Sequence, residues 1–194
     1  MKTLNNTVFT SDPSPVLLKG LSLRLAEEED YARADALFGQ QHYLGAAKRS
    51  GRGLLQIIEY SGRWVALLDW GPAALKLADR DEWIGWNGRQ RAERRELVVQ
   101  NRRFLVLSAT RMPNLASRCL SLGLKHLASH WKQRHGFAPL LAETFTDIEQ
   151  FEGTCYKAAN WQACGHTKGF ARHRADYYLK HDRPKKLWLY PLHK

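Results

Sequence analysis

Apolar and polar positions change their period several times along this chain, and each change predicts an element. LSLRLA, from Leu21, alternates as a strand does. EEEDYARADALFGQQHYL then places acidic residues in a first helical turn, where the macrodipole favours them. LLQIIEY and RWVALLDW are apolar and β-rich, and Ser61-Gly62 between them predicts a tight hairpin. AALKLADRDEWIGWNGRQRAERREL is mixed in polarity and loaded with arginine, and predicts helix; RFLVLSA predicts a short buried strand. Past Pro113, apolar residues at Leu115, Cys119 and Leu122, and again at Leu120, Leu124, Leu127 and Trp131, predict a broad amphipathic helix that Gly136 ends. PLLAETF predicts a strand, FEGTCYKAANW a short helix and KKLWLYPL a closing strand. Strands and helices in this order predict an α/β domain, a mixed sheet with helices packed on it. Residues 1–20, rich in Asn, Ser and Pro, read as a flexible lead-in, and 21–194 as a single domain.

Charge narrows the set of partners. Thirty Lys and Arg against 19 Asp and Glu give a formal charge of +11, so the surface attracts polyanions, of which nucleic acid is the commonest. Two segments concentrate that charge. GRQRAERRELVVQNRRF carries Arg89, Arg91, Arg94, Arg95, Arg102 and Arg103, and a helix puts Arg91, Arg94 and Arg95 on one face. A guanidinium fork donates two hydrogen bonds at once to a phosphate. HTKGFARHRADYYLKHDRPKK interleaves Lys168, Arg172, Arg174, Lys180, Arg183, Lys185 and Lys186 with Phe170, Tyr177 and Tyr178, as a backbone groove with base-stacking platforms requires. A solvated loop with its tyrosines tucked into the core is the competing reading. The longest apolar stretch, WVALLDWGPAALKLA, is interrupted well short of a membrane span, which leads to the expectation of a cytoplasmic protein with no membrane contact.

Three cysteines give no paired spacing and fit a reducing compartment. Cys155 and Cys164 lie too far apart for zinc, with His166 beyond Gly165, so no metal site is expected. Cys155 beside a lysine is a candidate thiol nucleophile, although packing is the more frequent fate of a free cysteine. Most of the seven tryptophans should be core or core-edge residues, with Trp64, Trp131 and Trp188 on strand or helix repeats.

HYLG (His42 to Gly45), RDEWIGW (Arg80 to Trp86), RFLVL followed by RMPNLAS, and ETFTDIEQFEGTCYKAANWQACGHTKG closely resemble the family of the Druantia anti-phage protein DruA, from about Leu21 to Leu192. The same strings are similar to a domain at the front of certain bacterial transposases. The resemblance implies a bacterial protein of phage defence or mobile DNA, with DNA ahead of RNA as partner beside other defence or transposition proteins. His42 and Asp81, polar residues within these strings, are candidates for a pocket wall.

The element order from RFLVL onward also resembles the GNAT N-acyltransferase scaffold, here with a helical insertion between the hairpin and the central strand. That resemblance implies acyl-coenzyme A as a cofactor, held by a loop and helix N-terminus matching Arg111, Asn114 and Ala116. Asn114 stands where the superfamily has glycine, and Pro113 lacks an N–H. Asn114 is also expected to N-cap the long helix, its side chain accepting from the N–H of Ala116 or Ser117. The same resemblance puts Tyr156 near a general acid's position and Glu143 on the strand that supplies a base.

Three functions follow. One is a DNA-associated defence or transposon component binding through a basic, aromatic surface. The second is a GNAT-like enzyme acting on a nucleic-acid base or another amine. The third is a nicking nuclease using Asp81, Glu143 and Asp147, for which the sequence offers no recognisable ligand pattern.

Overall fold

The computed structural model describes residues 20–107, 112–167, 170–174, 177–180 and 183–193, with backbone alone for the strands at 170–174 and 177–180. Strand β1 (Leu21–Leu25) pairs with β2 (Leu54–Tyr60), which turns back into β3 (Arg63–Pro72) through Ser61 and Gly62. Both turn residues have positive φ, 49° and 71°, and so give the twist that a two-residue hairpin needs. Antiparallel pairing continues to β4 (Val98–Val106). β4 then runs parallel to β5 (Leu141–Asp147), and β9 (Lys185–Pro191) and β6 (Gln162–His166) complete a seven-stranded sheet in the order β1-β2-β3-β4-β5-β9-β6. β7 (Phe170–Arg174) and β8 (Tyr177–Lys180) form a separate hairpin.

Two faces of the sheet are covered by different helices. Helix α4 (Leu115–His135) lays Leu115, Cys119, Leu120, Leu124, Leu127 and Trp131 against Leu54, Ile58, Leu68, Trp70 and Val99. Gly123 is where that helix comes nearest the sheet. A Cβ there would stand 2.9 Å from Gln56 Oε1 and 3.0 Å from Leu68 Cδ2. Gln56, buried on β2, answers the approach by donating to the Gly123 carbonyl at 3.1 Å while accepting from Trp70 Nε1 at 2.9 Å. Helix α1 (Glu28–Gln41) covers a second core around Phe38, Leu55, Ile57, Leu67 and Leu105.

The arginine-rich segment departs from the expected single helix. It forms two short helices, α2 (Ala78–Ile84) and α3 (Gly88–Arg94), separated at Gly85, whose φ of 81° ends the first. Asn87 then caps the second, its side chain accepting from Gln90 N at 2.9 Å while Gln90 Oε1 accepts from Asn87 N at 2.9 Å. The expected short strand RFLVL is longer, because β4 begins at Val98 and takes in Val98 to Arg102 as well. No helix among the described residues is long and apolar enough to cross a membrane.

Candidate functional site

β4 and β5 share a register only from Val98–Leu141 to Gln100–Glu143; beyond it they no longer pair with each other, and each stays paired with its other neighbour, β4 with β3 and β5 with β9. Their divergence opens a cleft of about 560 Å³. Asn101, Phe104 and Val106 line it from β4, Thr144 and Thr146 from β5, Cys155 and Tyr156 from helix α5 (Thr154–Ala158), and His42 and Tyr43 from the loop after α1. Gly153 opens α5 with φ 77°, in a position where a Cβ would run into the Trp188 ring; only glycine suits both demands.

Inside the cleft the polar groups are few and mostly fixed. Thr144 Oγ1 donates to the Asn101 carbonyl at 3.1 Å. Burial pushes the Tyr156 hydroxyl well above its ordinary value, so it stays protonated at neutral pH. Burial also raises the Cys155 thiol, which removes the thiolate that a nucleophile needs. His42 is pushed down to about 4, by burial first and then by the charge of Arg103. Leu44 N donates to His42 Nδ1 at 3.1 Å, which leaves the neutral ring's proton on Nε2. His42 therefore offers the cleft a donor and no free lone pair. Asn101 differs from the others. It is only 3% exposed, its Nδ2 donates to the carbonyls of Asp69 and Arg103, and its Oδ1 is buried with no partner.

The mouth of the cleft is aromatic. Tyr43, 41% exposed, reaches across to Phe151, 47% exposed, with ring centroids 5.3 Å apart, and stacks on His42 at 5.0 Å. Arg103 holds the Tyr43 loop on β4 by donating to the carbonyls of Gly45 at 2.8 Å and Leu44 at 3.3 Å. Asp147 holds the opposite loop, accepting from Glu149 N at 3.1 Å and Gln150 Nε2 at 3.2 Å.

Several residues singled out in the sequence lie elsewhere. Glu143 does not line the cleft; it is fully buried and accepts from Ala74 N at 2.6 Å and Arg80 Nη1 at 3.0 Å. Burial raises its carboxyl, with Arg80 opposing. Arg80, also fully buried, donates through Nε and Nη2 to Asp81 Oδ1 at 3.0 and 2.8 Å, and Arg91 donates to Asp81 Oδ2 at 3.0 Å. The structure thus brings Glu143 and Asp81 together with arginines and apart from Tyr156 and His42. Among the described residues, no group of three or more potential metal ligands converges.

Most of the arginines between Arg89 and Arg103 point inward. Arg91 is held by Asp81, Arg95 donates to the Ala73 carbonyl at 3.3 Å, and Arg102 pairs with the buried Asp69, which Arg49 also contacts at 3.0 Å. Arg103 holds the Tyr43 loop, Arg89 pairs with Glu93 at 2.9 Å, and Arg94 is exposed. In the second segment Arg183 is exposed, and Lys185 and Lys186 are partly buried on β9, with Lys186 Nζ 4.8 Å from the Trp188 ring centre. Lys168 lies outside the described residues, and so do the side chains of Arg172, Arg174, Tyr177 and Lys180.

At the start of α4, Asn114 corrects an expectation. It occupies the cap position, but its side chain makes no capping bond, because its backbone sits at φ 61°, ψ 6° rather than in the extended conformation from which an N-cap side chain reaches back. Asn114 has adopted the left-handed conformation, one that asparagine tolerates. The N–H groups of Ala116 and Ser117 are thus not capped by that side chain; Arg111 lies outside the described residues.

A cationic surface that the sequence reading missed runs along α4. Arg118, Ser121, Lys125, Ser129 and Lys132 recur at intervals of three and four, are all exposed, and share the face opposite the core. No Asp or Glu occurs between Leu115 and His135. Among the described residues, none of these three cations has a carboxylate partner. The signal was present in the sequence as a 21-residue helix without one acid, and the apolar repeat drew attention to the other face.

The family model described as Druantia protein DruA matches residues 10–189. The chain belongs to the DruA family. Membership makes it a component of Druantia anti-phage defence and implies other Druantia proteins as companions. No curated protein matches it. Its fold is that of GNAT acetyltransferases. The ribosomal-protein-S18-alanine N-acetyltransferase from Escherichia coli is 11% identical, with a TM-score of 0.55 over 90% of this chain and 95% of that one. An N-acetyltransferase from Staphylococcus aureus Mu50 is 12% identical, with a TM-score of 0.54 over 89% and 99%. AAC(6')-Ib, solved with paromomycin and acetyl-CoA, is 13% identical, with a TM-score of 0.55 over 89% and 93%.

Proposed function

We propose that this DruA-family chain is the Druantia component that binds nucleic acid, DNA in particular, through the exposed face of α4. The observation that carries this reading is the ridge of Arg118, Lys125 and Lys132 on a helix free of carboxylates. Seven residues of helix rise about 10 Å, so the three cations are spaced along about 20 Å of surface, enough to follow a phosphate backbone. Ser121 and Ser129 between them are small and donate to the helix's own Ser117 and His126 carbonyls at 2.9 Å each, which leaves the ridge to the three cations. The formal charge of +11 adds long-range attraction of the same sign. Exposed Arg94 and the β7–β8 segment would extend the contact, and a mobile-element setting would call for the same surface.

Neutralising Arg118, Lys125 and Lys132 together to Gln tests this reading. The account expects binding of a labelled duplex, followed by fluorescence anisotropy at low salt, to weaken at least tenfold, with the melting temperature unchanged because all three side chains are exposed. Equal binding by the variant and the parent would remove the ridge from the account.

A second reading has its own support: the cleft lies where the sheet diverges, with protonated Tyr156 on its wall, and a protein of the same fold has been solved with acetyl-CoA. The residues present are compatible with acyl-coenzyme A. The Ala116 and Ser117 N–H groups would receive its phosphates, and Thr144 and Tyr156 would lie beside its reactive end. The bound group would supply an activated acyl carbon. For a base, the cleft offers Glu152, its one lining carboxylate among the described residues, since Glu143 is engaged by Arg80. A rise in melting temperature with acetyl-CoA supports this reading, an effect of about 2.7 kcal/mol at a hundred times Kd; no shift at millimolar ligand contradicts it.

A further inference from the structure

We propose that the mouth of the β4–β5 cleft is a protein-docking surface, and that its occupant is a segment of a partner protein in which a large apolar side chain is flanked by Lys or Arg. The inference goes beyond the reading of α4, which concerns another element and another class of partner. Three observations carry it.

The first is where exposed apolar side chains collect. Among the described residues seven large apolar side chains are exposed, and four of them stand in the two loops at the mouth: Leu44 at 42% and Ile148 at 44% join Tyr43 and Phe151. Tyr43 and Phe151 meet with ring centroids 5.3 Å apart, so the two loops form one surface. A folded domain rarely leaves such side chains together in water, and an apolar patch rimmed by polar groups marks an interaction site.

The second is the fixing of that surface. In the turn after β5, Phe151 N and Gln150 N donate to the Asp147 carbonyl at 2.8 and 3.2 Å, and the buried Asp147 carboxylate accepts from Glu149 N and Gln150 Nε2. Across the mouth Gly45 N donates to the His42 carbonyl at 2.8 Å, and Arg103 donates to the Gly45 and Leu44 carbonyls. Backbone bonds thus hold the four apolar side chains in the open before a partner arrives, which lowers the ordering cost of association.

The third is charge, and it selects the partner. Glu149 and Glu152 stand on either side of Phe151 in the chain, both are exposed, and Glu152 also lines the cleft. Among the described residues no cation pairs with either. The cations around the mouth are turned to other groups: Arg103 donates to the carbonyls of Leu44, Gly45 and Arg102, and Lys185 stands opposite Asp147 in the β5–β9 register. Two unpaired carboxylates on the rim repel a phosphate backbone and complement Lys or Arg. A second copy of this chain is disfavoured by the mutual repulsion of two formal charges of +11. Behind the lip the cleft of about 560 Å³, with Phe104 and Val106 on its wall, has room for the partner's apolar side chain as an anchor.

The test uses the full chain and two fluorescein-labelled probes, the peptide Lys-Lys-Phe-Lys-Lys and its counterpart Glu-Glu-Phe-Glu-Glu, followed by anisotropy at low salt. The expected result is saturable binding of the Lys peptide. Tyr43→Ala and Phe151→Ala are each expected to weaken it more than about fivefold, as loss of an interface anchor does. The double variant Glu149→Lys with Glu152→Lys, at exposed positions where the melting temperature should not change, is expected to weaken the Lys peptide at least about tenfold and to strengthen the Glu peptide. Loss of folding would not exchange the preference in this way. Absence of saturable binding of the Lys peptide, or equal binding by the parent and all three variants, overturns the proposal. So does an oligonucleotide, single-stranded or duplex, that loses affinity in Tyr43→Ala and Phe151→Ala while the Lys peptide does not, since the mouth would then serve nucleic acid. The triple Gln variant at Arg118, Lys125 and Lys132 should not weaken the Lys peptide, so this proposal and the α4 reading fail separately.

Discussion

Glu143 and Arg80 set the chemistry of the face opposite the cleft. Both are fully buried, and each is the other's partner at 3.0 Å; neither could be removed alone without leaving an uncompensated group in the interior. Arg80→Met is expected to cost about 3–5 kcal/mol, seen as a fall in the urea midpoint and as new protease cleavage around α2 and α3. Glu143→Gln should destabilise in the same direction, so loss of activity in that variant would report folding rather than proton transfer.

His42 gives the residue scale a pH signature. Its folded value near 4 lies below the ordinary 6.5, so the unfolded chain binds the proton more readily. The stability that the neutral ring contributes is fully present above about pH 6.5 and is lost as pH falls toward 4. His130 and His135 are lowered as well, by burial first, and add to the same window. The comparison that isolates His42 is therefore the parent against His42→Gln. The difference in melting temperature between them should change between pH 7 and pH 4.5 in the variant's favour. A constant difference would mean that the ring titrates normally.

At the scale of the elements, Gly123 should behave against its propensity. Alanine in mid-helix is ordinarily worth about 1 kcal/mol over glycine, but here the added Cβ would meet Gln56 Oε1 at 2.9 Å and disturb the Trp70–Gln56–Gly123 chain. Gly123→Ala is expected to lower the urea midpoint by destabilising the α4–β2 contact. A stabilised variant would show that the helix can ride away from the sheet at little cost.

Which elements could be read in advance follows from how local their signals are. The β2–β3 hairpin, α1 and α4 have strong periods and their own stop residues, and the chain order supported the mixed sheet and the GNAT likeness. The arginine-rich segment was harder. Gly85 and Asn87 are punctuation that a single continuous helix ignores, and the destination of Arg80, Arg91 and Arg95 depends on carboxylates and carbonyls distant in sequence or in the adjoining helix. No strand was expected for β6, whose five residues show no clear alternation, nor for the β7–β8 hairpin, in a segment read for its charge and aromatics. The cleft was legible in part. His42, Cys155 and Tyr156 were named and do line it, while Asn101, Thr144 and Phe151 had no local signal, since they matter only because two strands diverge beside them.

On the scale of the whole molecule, charge is divided by destination. The carboxylates Asp69, Asp81 and Glu143 draw several arginines into the interior and fasten loops and insertion to the sheet. Among the cations left exposed, Arg118, Lys125 and Lys132 line one face of α4, where no acid offsets them. A protein of the acetyltransferase fold thereby carries a cationic helix face and a cleft with an aromatic mouth.

The dependence of duplex affinity on salt tests that division most directly. Each phosphate neutralised contributes about 0.9 to the slope of log affinity against log salt on duplex DNA. Compared with the parent, the triple Gln variant at Arg118, Lys125 and Lys132 should show a slope reduced by about 2.7. An unchanged slope, or duplex affinity in the parent that ignores salt altogether, would contradict the account.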